Sequence, residues 1–239
     1  MSLTDRTTLD TPDGPMVAYR SRPESAPRGA VLVVQEAFGL TGYIESVADN
    51  LAAAGWYALA PAFFHRTGGD VLPYGDFGVV RPHMDALTAD GIEADLDVAL
   101  THLDAAGFGP ERTGMVGFCM GGSITFYADA LRTLGAGVTY YGGGVGAGRF
   151  GLPPQPSLAP SLHGAWLGLY GDRDGSIPLH EVEELRAAAA TAPVPTEVVR
   201  YPEAGHGFHC FERPDVYRPD DAADAWQRTL AWFDTHLPA

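Results

Sequence analysis

The chain has 239 residues, 46% of them hydrophobic, and a formal net charge of -15. That length and apolar content suit one α/β domain with a sizeable core and exclude a largely disordered chain. The acidic balance disfavours a sequence-independent grip on nucleic acid, which depends on Lys and Arg neutralising phosphates. No segment approaches the ~20 apolar residues of a membrane span, and the N-terminus lacks the apolar core of a signal peptide, so no membrane association and a cytoplasmic location are expected. In a reduced cytosol Cys119 and Cys210 should be free thiols. His65, His83 and His102 stand too far apart to read as a zinc site, so no metal is expected.

Val31-Leu32-Val33-Val34 reads as a strand buried on both faces, followed by the loop Gln35-Glu36-Ala37-Phe38-Gly39. Ile44, Val47, Ala48, Leu51 and Ala54 keep helical spacing until Gly55. Residues 57–60 form the next strand, stopped by Pro61, and residues 62–89 read as a long excursion with one helical turn. Ile92, Leu96, Ala99, Leu100 and Leu103 predict a helix over 91–106, and residues 113–117 predict a strand. A helix over 120–134, a strand over 137–141 and a second Gly/Pro-rich loop over 145–163 follow. Strands over 165–170 and 196–201 flank a helix over 181–190, and Trp226, Leu230 and Phe233 mark a C-terminal helix over 222–236. Strands alternating with helices predict a mostly parallel sheet covered on both faces, in a single domain spanning 1–239, with ligands at the carboxyl ends of the strands.

Gly117-Phe118-Cys119-Met120-Gly121-Gly122 places a cysteine between glycines where a strand should turn into a helix. A nucleophile elbow has this form: its central residue is strained and held clear of the backbone, and flanking glycines relieve the crowding. A buried structural cysteine is the competing reading. A nucleophile needs a base, and His206, between Gly205 and Gly207, follows the last strand. The base needs an orienting carboxylate, for which Asp174 and Asp172, on the loop after the preceding strand, are candidates. Asp174 is preferred because it lies further into the turn, whereas Asp172 adjoins Arg173. Nucleophile, acid, histidine is the chain order of the α/β-hydrolases. The backbone amides of Met120 and Ala37 are the expected oxyanion donors, and Glu36 should lie beside the site.

These segments, with Tyr140-Tyr141-Gly142, Gly171 to Asp174 with Ile177-Pro178, and Gly205-His206-Gly207-Phe208, together resemble the dienelactone hydrolase family over most of the chain. The resemblance implies an α/β-hydrolase fold and hydrolysis of small lactones or esters through a Cys119, His206 and Asp174 triad and a thioester, without metal or organic cofactor. It implies that Glu36 controls ionisation of the thiol, so that the thiolate becomes available when substrate enters. Members that cleave dienelactone hold its carboxylate with arginines, one soon after the histidine; here Phe208-His209-Cys210-Phe211 stands there, with Arg213 only later. Arg81, Tyr140 and Phe38 are the expected substrate-binding residues. The expected partner is a small ester or lactone, and the expected state a monomer or small homo-oligomer. A carboxylesterase or thioesterase of other substrate class, and a ligand-binding homologue without turnover, are the alternatives.

Overall fold

The computed structural model describes residues 2–238, which form one eight-stranded sheet with helices on both faces. Its strands are β1 (Ser2–Thr11), β2 (Gly14–Pro23), β3 (Ala30–Val34), β4 (Tyr57–Pro61), β5 (Thr113–Phe118), β6 (Ala136–Tyr140), β7 (Ala165–Gly171) and β8 (Thr196–Tyr201). The principal helices are α1 (Gly42–Ala53), α2 (Phe77–Asp85), α3 (Ala89–Ala105), α4 (Met120–Leu131), α5 (Gln155–Leu158), α6 (Leu179–Ala189) and α7 (Pro219–His236). In space the strands run β1-β2-β4-β3-β5-β6-β7-β8, the first two antiparallel to their neighbours and the rest parallel.

Every residue of β3, β5, β6 and β7 is buried, as a parallel sheet roofed by crossover helices requires. Because successive side chains point to opposite faces, β3 feeds two cores. Val31 and Val33 pack with Tyr43, Ile44 and Phe233, while Leu32 and Val34 pack with Ile92, Leu96 and Leu103. None of the described helices is long and apolar enough to cross a membrane.

The predicted α/β architecture stands, with four departures, one being that residues 145–163, expected as a loop, contain α5 and a 3-10 turn (Ala159–Ser161). Residues 2–23 form an antiparallel hairpin that the strand reading does not contain. Residues 62–89 hold a 3-10 turn (His65–Thr67) and the nine-residue α2 rather than one helical turn. The Asp76 carboxylate caps α2, accepting from the Gly78 and Val79 amides at 2.9 and 3.3 Å. Backbone bonds from Leu40 N to Asp70 O (2.7 Å) and Leu72 N to Phe38 O (2.8 Å) pin this excursion to the loop after β3. The helix expected to reach Leu134 stops at Leu131, where Arg132 turns extended.

Asp129, on the buried α4, accepts the Gly164 amide at 2.6 Å through Oδ1, while Oδ2 has no partner among the described residues. Burial outweighs the backbone bonds and lifts its carboxyl from 3.8 to about 8. The folded chain thus holds a proton that the unfolded chain releases. The group's contribution to stability is full below its ordinary value and is lost as pH rises toward about 8. Asp129→Asn, which cannot ionise, should flatten the fall in melting temperature across that window; parallel thermal-denaturation profiles for the two proteins would contradict this.

Candidate active site

The elbow is present at the junction of β5 and α4. Cys119 sits at φ 56°, ψ -116°, and α4 begins at the next residue. Such a conformation costs a non-glycine residue on the order of 1–3 kcal/mol and persists only where surroundings enforce it. Here the turn is too tight for side chains. A Cβ at Gly117 would collide with the Gly121 carbonyl and Thr125, and one at Gly121 with the carbonyls of Val34 and Gln35. The Cys119 amide donates to the Tyr140 carbonyl at 3.0 Å, which ties the elbow to the end of β6.

Cys119, His206 and Asp174 line one cavity of about 590 Å³ at the carboxyl edge of the sheet, together with Ala37. His206 Nδ1 lies 2.6 Å from Asp174 Oδ2, and Asp174 Oδ1 accepts from the Ser176 amide (2.9 Å) and hydroxyl (2.6 Å). Asp172, the other candidate acid, is held by a two-pronged bond from Arg200, Nε and Nη2 each 2.7 Å from an oxygen. Met120 occupies the first position of α4, where amides have no intrahelical acceptor, so its N–H is free to bind an anion.

The charges reinforce one another. Burial pushes the Cys119 thiol up, but the charge and hydrogen bond of His206 outweigh it, Glu36 opposes and Arg149 assists, leaving the thiol below its ordinary value. Burial pushes His206 down, but the Cys119 sulfur and Asp174 outweigh that and raise it. Asp174 is raised by burial and lowered further by His206 and Ser176. Both shifts run in the direction of a thiolate beside an imidazolium.

Glu36 lies where expected but deeper, only 2% exposed. Its Oε1 accepts the Tyr141 hydroxyl at 3.1 Å, and Oε2 has no geometric partner among the described residues. Burial raises its carboxyl, against the pull of Arg213, His206, Tyr141 and Cys210. Cys210 is a packing residue: it is fully buried, its sulfur 3.8 Å from the Tyr74 hydroxyl, and burial pushes its thiol to about 12.

The expected substrate residues fare differently. Arg81 points into solvent from α2, with 81% of its side chain exposed and Nε bonded to Asp85 at 3.3 Å, so it does not line the cavity. Tyr140 is core: its hydroxyl lies 2.7 Å from Thr229 Oγ1, and its ring packs on Phe118 and His209. Phe38 is buried beneath the Arg213 guanidinium, 5.4 Å from its ring, and lines an adjoining cleft shared with Tyr74 and Phe77. The cavity wall is completed by Arg149, Arg213, Phe77 and Met84, none of which sequence reasoning selected. Among the described residues no three His, Cys, Asp or Glu side chains gather to hold a metal ion.

Residues 16–237 match the model of the dienelactone hydrolase family. This chain belongs to the dienelactone hydrolase family. It is 38% identical over 223 residues to an Escherichia coli K12 protein provisionally named carboxymethylenebutenolidase, covering 91% of this chain and 82% of that one. A carboxymethylenebutenolidase of Rhodococcus opacus is 32% identical over 212 residues, covering 87% and 81%. A Klebsiella pneumoniae structure provisionally described as a dienelactone hydrolase superposes with a TM-score of 0.88 at 35% identity, covering 98% and 99% of the two chains. Family membership makes the chain a hydrolase of the ester and lactone type on an α/β-hydrolase fold.

Iodoacetamide should therefore modify Cys119 with a pH midpoint below the ordinary thiol value, long before Cys210. Mass spectrometry of briefly alkylated protein reads this directly, and equal labelling of the two cysteines would remove the case for an activated sulfur.

Proposed function

We propose that this dienelactone hydrolase relative cleaves small lactones and carboxylic esters through a Cys119 thioester, with His206 as acid and base and Asp174 as its orienting carboxylate. The observation that carries the reading is the 2.6 Å contact of His206 Nδ1 with Asp174, with that imidazole opening onto the same cavity as a cysteine strained at φ 56°. The Cys119 thiolate attacks the acyl carbon, and the carbonyl oxygen takes the negative charge, facing the Met120 and Ala37 amides. As the tetrahedral intermediate collapses, the carbon–oxygen bond breaks and the alkoxide takes the His206 proton. For a lactone that hydroxyl stays tethered to the acyl group. Neutral His206 then removes a proton from water, whose oxygen attacks the thioester. Collapse expels the thiolate, releases the acid and leaves the imidazolium that began the cycle.

Asp174 favours the imidazolium and fixes which ring nitrogen faces the sulfur. Ser176 supports it by donating twice to the carboxylate oxygen that does not meet His206. The cavity suits a small acyl group, with Phe77 and Met84 supplying an apolar wall. The relatives named carboxymethylenebutenolidase support lactones as the substrate class.

Dienelactone, simple lactones, aryl esters and thioesters offered to wild type and Cys119→Ala test mechanism and substrate together. We expect the variant to lose about 10⁴-fold or more in kcat on every substrate that wild type cleaves. His206→Ala should lower kcat rather than only raise KM. Turnover of wild-type magnitude by Cys119→Ala would sink the thioester route.

A further inference from the structure

Arg149 occupies a backbone built against local preference. Its amide donates to the Leu152 carbonyl at 3.1 Å and its carbonyl accepts the Leu152 amide at 2.7 Å, closing a two-residue turn over Phe150 and Gly151. Both central residues have positive φ, 56° and 80°. Such turns favour Asn-Gly or Gly-Gly, because a side chain like that of Phe150 is strained at the first position. The strained residue carries the arginine: the guanidinium carbon lies 4.3 Å from the centroid of the Phe150 ring. Bare backbone receives the other side. A Cβ on Gly143 would come within 3.1 Å of Arg149 Nη1, and one on Gly144 within 3.0 Å of Cδ.

This device brings a cation to the cavity that holds Cys119 and His206. Among the described residues no carboxylate pairs with Arg149; apart from the Phe150 ring, it faces the cavity that it shares with Cys119, on whose sulfur its charge acts. Four loops bring charge to bear on that sulfur. The loop after β8 contributes His206, with Asp174 behind it on the loop after β7; the loop after β3 contributes Glu36, and the loop after β6 contributes Arg149. Arg213 acts one step removed, on Glu36 and Cys210. Two cations thus face the nucleophile against one buried carboxylate. They are not equivalent: His206 gives up and takes back a proton in each cycle, whereas a guanidinium keeps its charge throughout.

We propose that Arg149 is a positioning residue that holds the Cys119 sulfur as a thiolate in the substrate-free protein, so that ionisation of the nucleophile precedes substrate binding. The inference rests on Cys119 being the nucleophile, and it departs from the expectation that Glu36 withholds the thiolate until substrate enters. Neutral esters should on this account be attacked as readily as charged ones, because no substrate charge is needed to ionise the sulfur.

The test is the pH dependence of Cys119 alkylation by iodoacetamide, a neutral reagent, in substrate-free wild type, Arg149→Lys and Arg149→Met, with the labelled peptide read by mass spectrometry. Methionine keeps an unbranched stem against Phe150 and removes the charge. We expect its midpoint to rise by on the order of 1–3 pH units, and that of Arg149→Lys to stay within about half a unit of wild type. Its kcat/KM should fall on the order of tenfold below the shifted midpoint and recover above it. If Arg149→Met does not fold, Arg149→Gln carries the same expectation. Superimposable alkylation profiles would overturn the proposal, as would a loss of kcat/KM equal at every pH, which would make Arg149 a substrate contact. Since alkylation needs no turnover, failure here is distinct from failure of the hydrolytic reading, which Cys119→Ala decides.

Discussion

The close approach of α4 to the ends of β3 and β5 is the constraint on which the rest of the site depends. Gly121 lies so near the Val34 and Gln35 carbonyls, and Gly117 so near the Gly121 carbonyl, that a methyl group at either position has no room. That contact forces the chain to reverse within one residue, and Cys119 absorbs the reversal at φ 56°. The strain there, on the order of 1–3 kcal/mol, is offset by the burial of α4, whose residues from Met120 to Ala130 are all shielded from solvent. One packing arrangement therefore sets Cys119 against the cavity immediately before the first turn of α4.

Charge is the second dependence, because the elbow sits over a cluster that would be costly if unbalanced. Glu36, Tyr141, Cys210 and Tyr43 are all buried beneath it, and only Glu36 among them readily carries charge. Burial disfavours its ionised form while Arg213 and His206 favour it. The Tyr141 hydroxyl gives the carboxylate one donor, and Tyr141 is itself held at φ 38° directly after β6. Strain at Cys119, Tyr141 and Phe150, the three non-glycine residues of positive φ among those described, thus falls on the proposed nucleophile, on the donor to its neighbouring carboxylate, and on the ring beneath Arg149.

The parallel strands were legible because burial on both faces leaves short β-branched or apolar runs, and the long helices because each keeps an apolar stripe. The hairpin of β1 and β2 offers neither. In β1 only Leu9 is buried, so the sequence reads as polar coil, although Thr11-Pro12-Asp13-Gly14 is a turn signal that could have revealed it. In α2 only Val80 is buried, which leaves no stripe to count, and its start is marked by Asp76 alone. At the site, Asp174 was separable from Asp172 only by the reach of the turn and by the Arg173 beside Asp172. Arg200, which occupies Asp172, is distant in sequence and was invisible to that reasoning.

Sheet register explains which site residues could be read and which could not. Val34 pairs with Gly117, Phe118 with Tyr140, and Gly171 with Tyr201, so these four neighbouring parallel strands and β8 end along one edge. Residues just past those ends, Glu36, Cys119, Tyr141, Asp174 and His206, are delivered to that edge by the strands themselves. Arg149, Arg213, Phe77 and Met84 lie well beyond any strand end and reach the cavity through turns, a capped helix and contacts between loops. Their positions follow from tertiary contacts that no periodicity encodes, which is why Arg81 was selected from the sequence and Arg149 was not. The strained Phe150 turn ties the two groups together: it is loop architecture, yet its arginine acts on the sulfur that the register delivers. In this chain the loops that shape the cavity also bring charge to bear on its proposed nucleophile.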